Sequence, residues 1–221
     1  VHKLLHQAEA VLFDFDGSLC RIFATLTDWA AADRVLSVLG LAGVALPPHL
    51  ITTSDPIEVA RFLATVDDRE IALRAEQELR AVELEAVAGA APTPGGHEAF
   101  RAVAASGRPV AIVSNNSPEA VEAYLALHRL TGLTDVVLGR MPGRPGSMKP
   151  HPYLVTMACM LVEAEPGGCV LIGDSVTDIE AAKAAGTLAI GLASQPDRAA
   201  PLQAAGADAV ITGMTDLLAT A

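Results

Sequence analysis

Two carboxylates stand one residue apart where an apolar run ends. Ala10-Val11-Leu12-Phe13 leads straight into Asp14-Phe15-Asp16-Gly17-Ser18. Alone, this string also describes a turn with two solvated acids, so its surroundings decide. Two further segments share its form, and one loop adds a cation. Val110 to Val113 ends in Ser114-Asn115-Asn116-Ser117-Pro118. Cys169 to Ile172 ends in Gly173-Asp174-Ser175-Val176-Thr177-Asp178. Between them lies Ser147-Met148-Lys149-Pro150-His151-Pro152, in a Gly/Pro-rich loop that also holds Arg140 and Arg144. Ordinary structure accounts for part of this. Ser117 reads as a helix N-cap with Pro118 at the first helical position, and Ser175 with Asp178 reads as a capping box. Capping explains neither Ser114 nor Asp174, which sit at the ends of the runs.

Acids Asp14, Asp16 and Asp174 gathered at one sheet edge would repel by several kcal/mol at ~4 Å in a partly buried site. A hard dication relieves that repulsion. Mg²⁺ takes carboxylate and water oxygens and leaves positions open for a phosphate. A carboxylate can then attack phosphorus as a nucleophile. The charge is offset by the metal, by Lys149, by Ser114 with its neighbour Asn115, and by backbone amides from Phe15 to Gly17. A second acid two residues on can protonate the leaving alcohol and later activate water. The expectation that follows is geometric: Asp14, Asp174 and Lys149 must share one pocket.

Such a pocket needs strands that end together. Short apolar runs at 10–13, 110–113, 135–138, 169–172, 188–191 and 209–211 read as strands buried on both faces. Helix-like stretches at 96–105, 118–130, 150–163, 176–185 and 197–205 separate them. This alternation implies βαβ units and an α/β fold: a Rossmann-like parallel sheet with helices on both faces. Ligands bind such sheets at the carboxyl ends of the strands. Residues 20–92 break the rhythm. They hold no clear buried-strand run and read as helices at about 28–39, 56–64 and 68–87. A Pro/Gly segment, Ala91 to Gly96, ends them. The division expected is an α/β core from 1–19 and 93–221, with an inserted helical unit over 20–92.

The whole chain fits this plan. Its 221 residues make one large domain or a domain with a sizeable insert. With 51% hydrophobic and 19% charged residues it is not a disordered chain. The mean hydropathy of +0.38 is carried by alanine, and no apolar run approaches the roughly 20 residues of a bilayer span. The first apolar run contains Asp14, so it is not read as a signal peptide. A net charge of −11 argues against a nucleic-acid partner while leaving room for a small anionic one. Three cysteines without a C-x-x-C read as reduced thiols in a cytoplasmic protein. The six histidines form no zinc-binding pattern.

The four segments, in this order, resemble the motifs of the haloacid dehalogenase-like hydrolase superfamily. Asp14 to Ser18 matches its D-x-D-G-[TSV], Ser114 its strand-ending hydroxyl, Lys149 to Pro152 its K-P-x-P, and Gly173 to Asp178 its G-D-[ST]-x-x-D. The resemblance implies Asp14 as nucleophile, giving an aspartyl-phosphate, and Asp16 as acid/base. It implies Mg²⁺ held by Asp14, the Asp16 backbone carbonyl and Asp174, with Asp178 assisting the metal shell or Lys149. Residues 20–92 resemble the family's helical C1 cap, as in phosphoglycolate-phosphatase-like members. The activity implied is hydrolysis of a phosphate monoester of a small metabolite by a monomer or homodimer. Two alternatives are a sugar phosphomutase of the same superfamily and a non-catalytic phospho-ligand module. The cap's lack of lysine weakens the mutase, and the presence of both Asp14 and Asp16 weakens the module. Relatives often carry an acid just past the first motif; here the stretch runs Leu19-Cys20-Arg21. Arg21 is either a contact for a second anionic group or a solvated hinge charge. Arg21, His49, Arg61 and Arg74 are the polar candidates for substrate contacts from the insert.

Overall fold

The computed structural model describes residues 1–220. A six-stranded, all-parallel sheet forms its centre, in the order β5-β4-β1-β6-β7-β8. The strands are β1 (Ala10–Phe13), β4 (Val110–Val113), β5 (Val136–Leu138), β6 (Cys169–Gly173), β7 (Leu188–Leu192) and β8 (Ala209–Ile211). The alternate residues of β1 feed two different cores. Val11 and Phe13 join Val110, Ile112, Val170, Ile172, Phe100 and Tyr124 on one face. Ala10 and Leu12 join Ala111, Val113, Leu171, Leu154, Val155 and Ile179 on the other. Burial on both faces is why these strands show no polar alternation in sequence. The two edge strands depart from this: all three residues of β5, and Ala209 and Val210 of β8, are half-buried, against the expectation of strands covered on both sides. A sheet edge has only one neighbouring strand, so its cover is thinner.

Helices α6 (Gly96–Ala105), α7 (Pro118–Leu127), α8 (Tyr153–Leu161), α9 (Val176–Ala185) and α10 (Ala199–Ala204) connect these strands, and a short α1 (His2–Gln7) precedes β1. Their ends follow local chemistry. Ser117 accepts from the Ala120 amide with Pro118 at the first helical position, and Ser175 and Asp178 form a reciprocal capping box at α9. The helices read over 118–130 and 150–163 are shorter than expected. Leu127 ends α7, and α8 starts only at Tyr153, because Pro150 and Pro152 hold the chain in turns.

Between β1 and α6 the chain builds four helices: α2 (Asp28–Leu41), α3 (Pro48–Ile51), α4 (Pro56–Phe62) and α5 (Arg69–Val87). Two short strands, β2 (Cys20–Arg21) and β3 (Ala91–Pro92), pair antiparallel where this segment leaves and rejoins the chain. Neither had a legible strand pattern, and α1 and α3 were not expected. The four-helix segment has its own apolar cluster, built on Ala32, Val35, Leu39, Val59, Leu63, Ala75 and Leu79. One member comes from elsewhere: Met148, from the loop between β5 and α8, is buried in it. Among the described residues no helix is long and apolar enough to cross a membrane.

Candidate active site

Strand order fixes where chemistry can occur. From β1 the sheet grows through β4 and β5 on one side and through β6, β7 and β8 on the other. The crevice at such a switch point is the ligand site of open α/β sheets. Phe13 pairs with Ile112 of β4 and with Ile172 of β6. The residues just beyond these pairs therefore emerge together: Asp14, Ser114 and Asp174.

They line one cavity of about 260 Å³ with Asp16, Asn115, Asn116, Lys149, Ser175, Thr177 and Asp178 on the core side. Asp55, Ile57 and Arg61 face it from the α4 region. A larger cavity, about 360 Å³, lies between Leu63, Leu73 and Pro145 and contains none of the aspartates of this site. The smaller one gathers the four aspartates, Ser114 and Lys149 expected from the sequence.

Lys149 stands at the floor, almost fully buried, and its three donors are all used. Its Nζ is 2.6 Å from Asp14 Oδ1, 2.5 Å from Asp178 Oδ1 and 2.8 Å from the Val113 carbonyl. Burial alone would lower the Lys149 pKa; the two carboxylates more than offset this and hold the ammonium charged, above its ordinary value. The backbone of Lys149 is gripped as well. Asn115 accepts from its amide at 2.8 Å and donates to its carbonyl at 3.1 Å. Arg61 donates to the same carbonyl at 3.0 Å.

Oxygens of Asp14, Asp174 and Asp178 lie within 4.8 Å of one another. Burial, reinforced by Asp178, pushes the Asp14 pKa up to about 8 against the opposing pull of Lys149. Burial likewise pushes Asp174 up to about 7, with Asp178 adding to it. Three convergent carboxylates are what a hard dication would stabilise, and oxygen-only donors suit Mg²⁺ or a similar ion. The loop geometry fits this use. Gly17 has φ +95°, and a Cβ there would sit 2.3 Å from Asp174 Oδ2, so only glycine lets the Asp174 carboxylate lie against this loop. Gly173 does the same for Asp178, whose side chain a Cβ would meet at 2.4 Å.

Asp16 is placed differently. Its Oδ1 accepts from the Ile22 amide at 2.9 Å, which turns the carboxylate toward the chain leading into the helical segment. Burial raises its pKa to about 7. Ser114 is buried; its Oγ accepts from the Asn116 amide at 3.0 Å and meets Asn116 Oδ1 at 3.1 Å.

Some expected residues stand elsewhere. The Gly17 amide, read as facing a phosphate, donates to the Cys20 carbonyl at 2.6 Å, so Gly17 acts through its missing side chain. Phe15 is buried with its ring edge-on to Tyr124, which leaves only its backbone for a ligand. The Asn115 side chain holds Lys149. Arg21, on β2, His49, on α3, and Arg74, on α5, are exposed and do not line the cavity; of the four polar candidates from the insert, Arg61 does. Sequence reasoning missed Asp55, Ile57 and Thr177. It also missed Arg140, the largest fully buried side chain among the described residues. Its carboxylate partners, Glu76 and Glu83, lie 64 and 57 residues away, so no local signal marks it.

A parallel sheet with acids, a hydroxyl and one buried ammonium gathered at its switch point is the arrangement of a hydrolase built on an α/β fold. The chain belongs to the haloacid dehalogenase-like hydrolase family, whose description it matches over residues 8–186. It is 26% identical to a phosphoglycolate phosphatase of Pseudomonas putida over 217 residues, covering 94% of this chain and 78% of that protein. It is 31% identical to a phosphoglycolate phosphatase of Nitrosospira multiformis over 189 residues, covering 81% and 80%. Among solved structures it resembles a family hydrolase of Deinococcus radiodurans with bound phosphate and sodium, at 31% identity and a TM-score of 0.63, covering 96% of this chain and 93% of the other.

Proposed function

We propose that the chain is a divalent-metal-dependent phosphatase acting on a small phosphate monoester through a phosphorylated Asp14. One observation carries this: the Asp14, Asp174 and Asp178 carboxylates converge on a single cavity floor, with the Lys149 ammonium 2.6 Å from Asp14. Relatives named as phosphatases support the same reading.

Asp14, Asp174 and the Asp16 backbone carbonyl would hold Mg²⁺, with Asp178 beside them. The ion would neutralise the acids and the incoming phosphate charge. Asp14 attacks phosphorus and the bond to the leaving alkoxide breaks, while Asp16 gives that oxygen a proton. Water then attacks the phosphoryl-aspartate, Asp16 takes its proton, and phosphate leaves with Asp14 restored. Lys149, Ser114 and the amides after Asp14 face the charge on the equatorial oxygens. Residues 20–92 act as a cap, joined to the core through the β2/β3 stem. Their closure excludes water and brings Arg61 against the part of the substrate beyond the phosphate. A cavity of about 260 Å³ suits a metabolite of few atoms.

The test is hydrolysis of p-nitrophenyl phosphate with Mg²⁺ and with chelator. Turnover that needs the ion, is absent in Asp14→Asn, and leaves an acid-stable, hydroxylamine-labile phosphate on the wild-type chain supports the reading. Metal-independent turnover, or full activity in Asp14→Asn, removes it.

A further inference from the structure

The loop after β4 and the Lys149 backbone are held by a buried charge cluster that the proposed chemistry does not use. Arg140 follows β5 and has no exposed surface. Its Nε donates to both oxygens of Glu76 at 2.9 and 3.0 Å. Its Nη1 and Nη2 meet the two oxygens of Glu83 at 2.8 and 3.0 Å. Glu76 and Glu83 are seven residues apart on α5, two turns along one helix face, so a single helix presents both to one guanidinium.

Buried ion pairs of this kind are weak contributors to stability, because desolvating the charges cancels much of their attraction. What distinguishes this cluster is where its remaining valences go. Arg140 Nη1 also donates to the Asn115 carbonyl at 2.8 Å, and the Arg140 amide to the Asn116 carbonyl at 2.8 Å. Glu83 accepts from Asn116 Nδ2 at 3.1 Å and from the Ser117 amide at 3.0 Å. Three successive residues of one loop are thus fixed. The same loop carries Ser114, whose Oγ is bonded to Asn116, and its Asn115 side chain clamps the Lys149 backbone at both amide and carbonyl.

We propose that Arg140 and Glu83 are positioning residues for phosphoryl transfer, setting through residues 115–117 where Ser114 and Lys149 stand. Neither touches the reacting atoms. Their effect is to hold the phosphate-facing groups in register with helix α5. The inference rests on the phosphatase reading, because it concerns that reaction's geometry.

Arg140→Lys keeps the charge and loses the planar fork, so it cannot serve Glu76, Glu83 and Asn115 together. Glu83→Gln keeps the shape and places an amide donor against donors. Each is assayed with p-nitrophenyl phosphate and Mg²⁺, well below its own melting temperature. Leu5→Ala, a core truncation on α1, serves as a destabilised control. The expected result is a fall in kcat of about 10- to 100-fold in both variants, the scale of a misplacement near 1 Å, with KM changed less than about threefold. Leu5→Ala keeps the wild-type kcat. If Arg140→Lys does not fold, Glu83→Gln decides by the same criterion. A folded variant with kcat within about threefold of wild type overturns the proposal while the phosphatase reading stands. A wild-type chain that hydrolyses nothing overturns both.

Discussion

Lys149 is bonded on three sides. It is the one cation of the described structure that meets two of the site's acids, and its third donor is spent on the Val113 carbonyl. In the proposed reaction, truncating it removes the fixed positive charge beside Asp14. Lys149→Ala is expected to lower kcat by about 10²- to 10³-fold, measured on any accepted phosphate ester. Asp16 offers a different signature, since the proposed mechanism has it protonate the leaving oxygen. Asp16→Asn is expected to lose most activity toward alkyl phosphates and to retain part of it toward p-nitrophenyl phosphate, whose p-nitrophenolate leaving group needs less protonation. A linear comparison of kcat across leaving groups checks this; equal losses would refute an acid role. The strand-end residues Asp14, Ser114 and Asp174 were legible because polar residues at the ends of fully apolar runs stand out. Arg140 was not, because its meaning lies in two glutamates more than fifty residues upstream.

Elements are held by caps and by aromatic packing, and here local sequence is a good guide. Asp68 Oδ1 accepts from the Glu70 and Ile71 amides and so opens α5. Asp68→Ala is expected to cost about 1 kcal/mol of stability by denaturant unfolding, with kcat unchanged. The strands 10–13, 110–113 and 209–211 and the helices 96–105 and 176–185 end where the sequence pattern ends. The parts that were not legible have physical reasons. β2 and β3 are two residues each, too short for any periodicity, and exist because the chain must leave and re-enter the core at one place. Helix α3 is a single turn started by Pro48. What does not appear in any local pattern is Met148, a loop residue that serves the core of a different layer.

For the molecule as a whole, the buried acids tie stability to pH and to metal. Asp14, Asp16 and Asp174 have folded pKa values raised to about 8, 7 and 7, against 3.8 for an ordinary aspartate. The metal-free folded state therefore binds more protons than the unfolded chain across that interval. Stability then falls as pH rises from about 4 to about 8. A divalent cation held by the proposed site would bind the ionised, folded form and oppose this loss. Thermal melts should show the metal-free protein less stable at about pH 8 than at about pH 5, and millimolar Mg²⁺ raising the melting temperature more at the higher pH. A chelated protein whose melting temperature climbs over the same interval would contradict the expectation.

Met148 gives the lysine beside it an unusual tenancy. Its side chain belongs to the apolar cluster of the four-helix segment, while the next residue reaches under the sheet edge to Asp14. Arg61, from the same segment, is bonded to the Lys149 carbonyl. If those helices swing outward, they either strand a methionine in water or haul the ammonium's own peptide along with them. The first case costs apolar burial, and the second pulls on the peptide that carries the ammonium bonded to Asp14, so an outward swing is penalised from both sides of the loop.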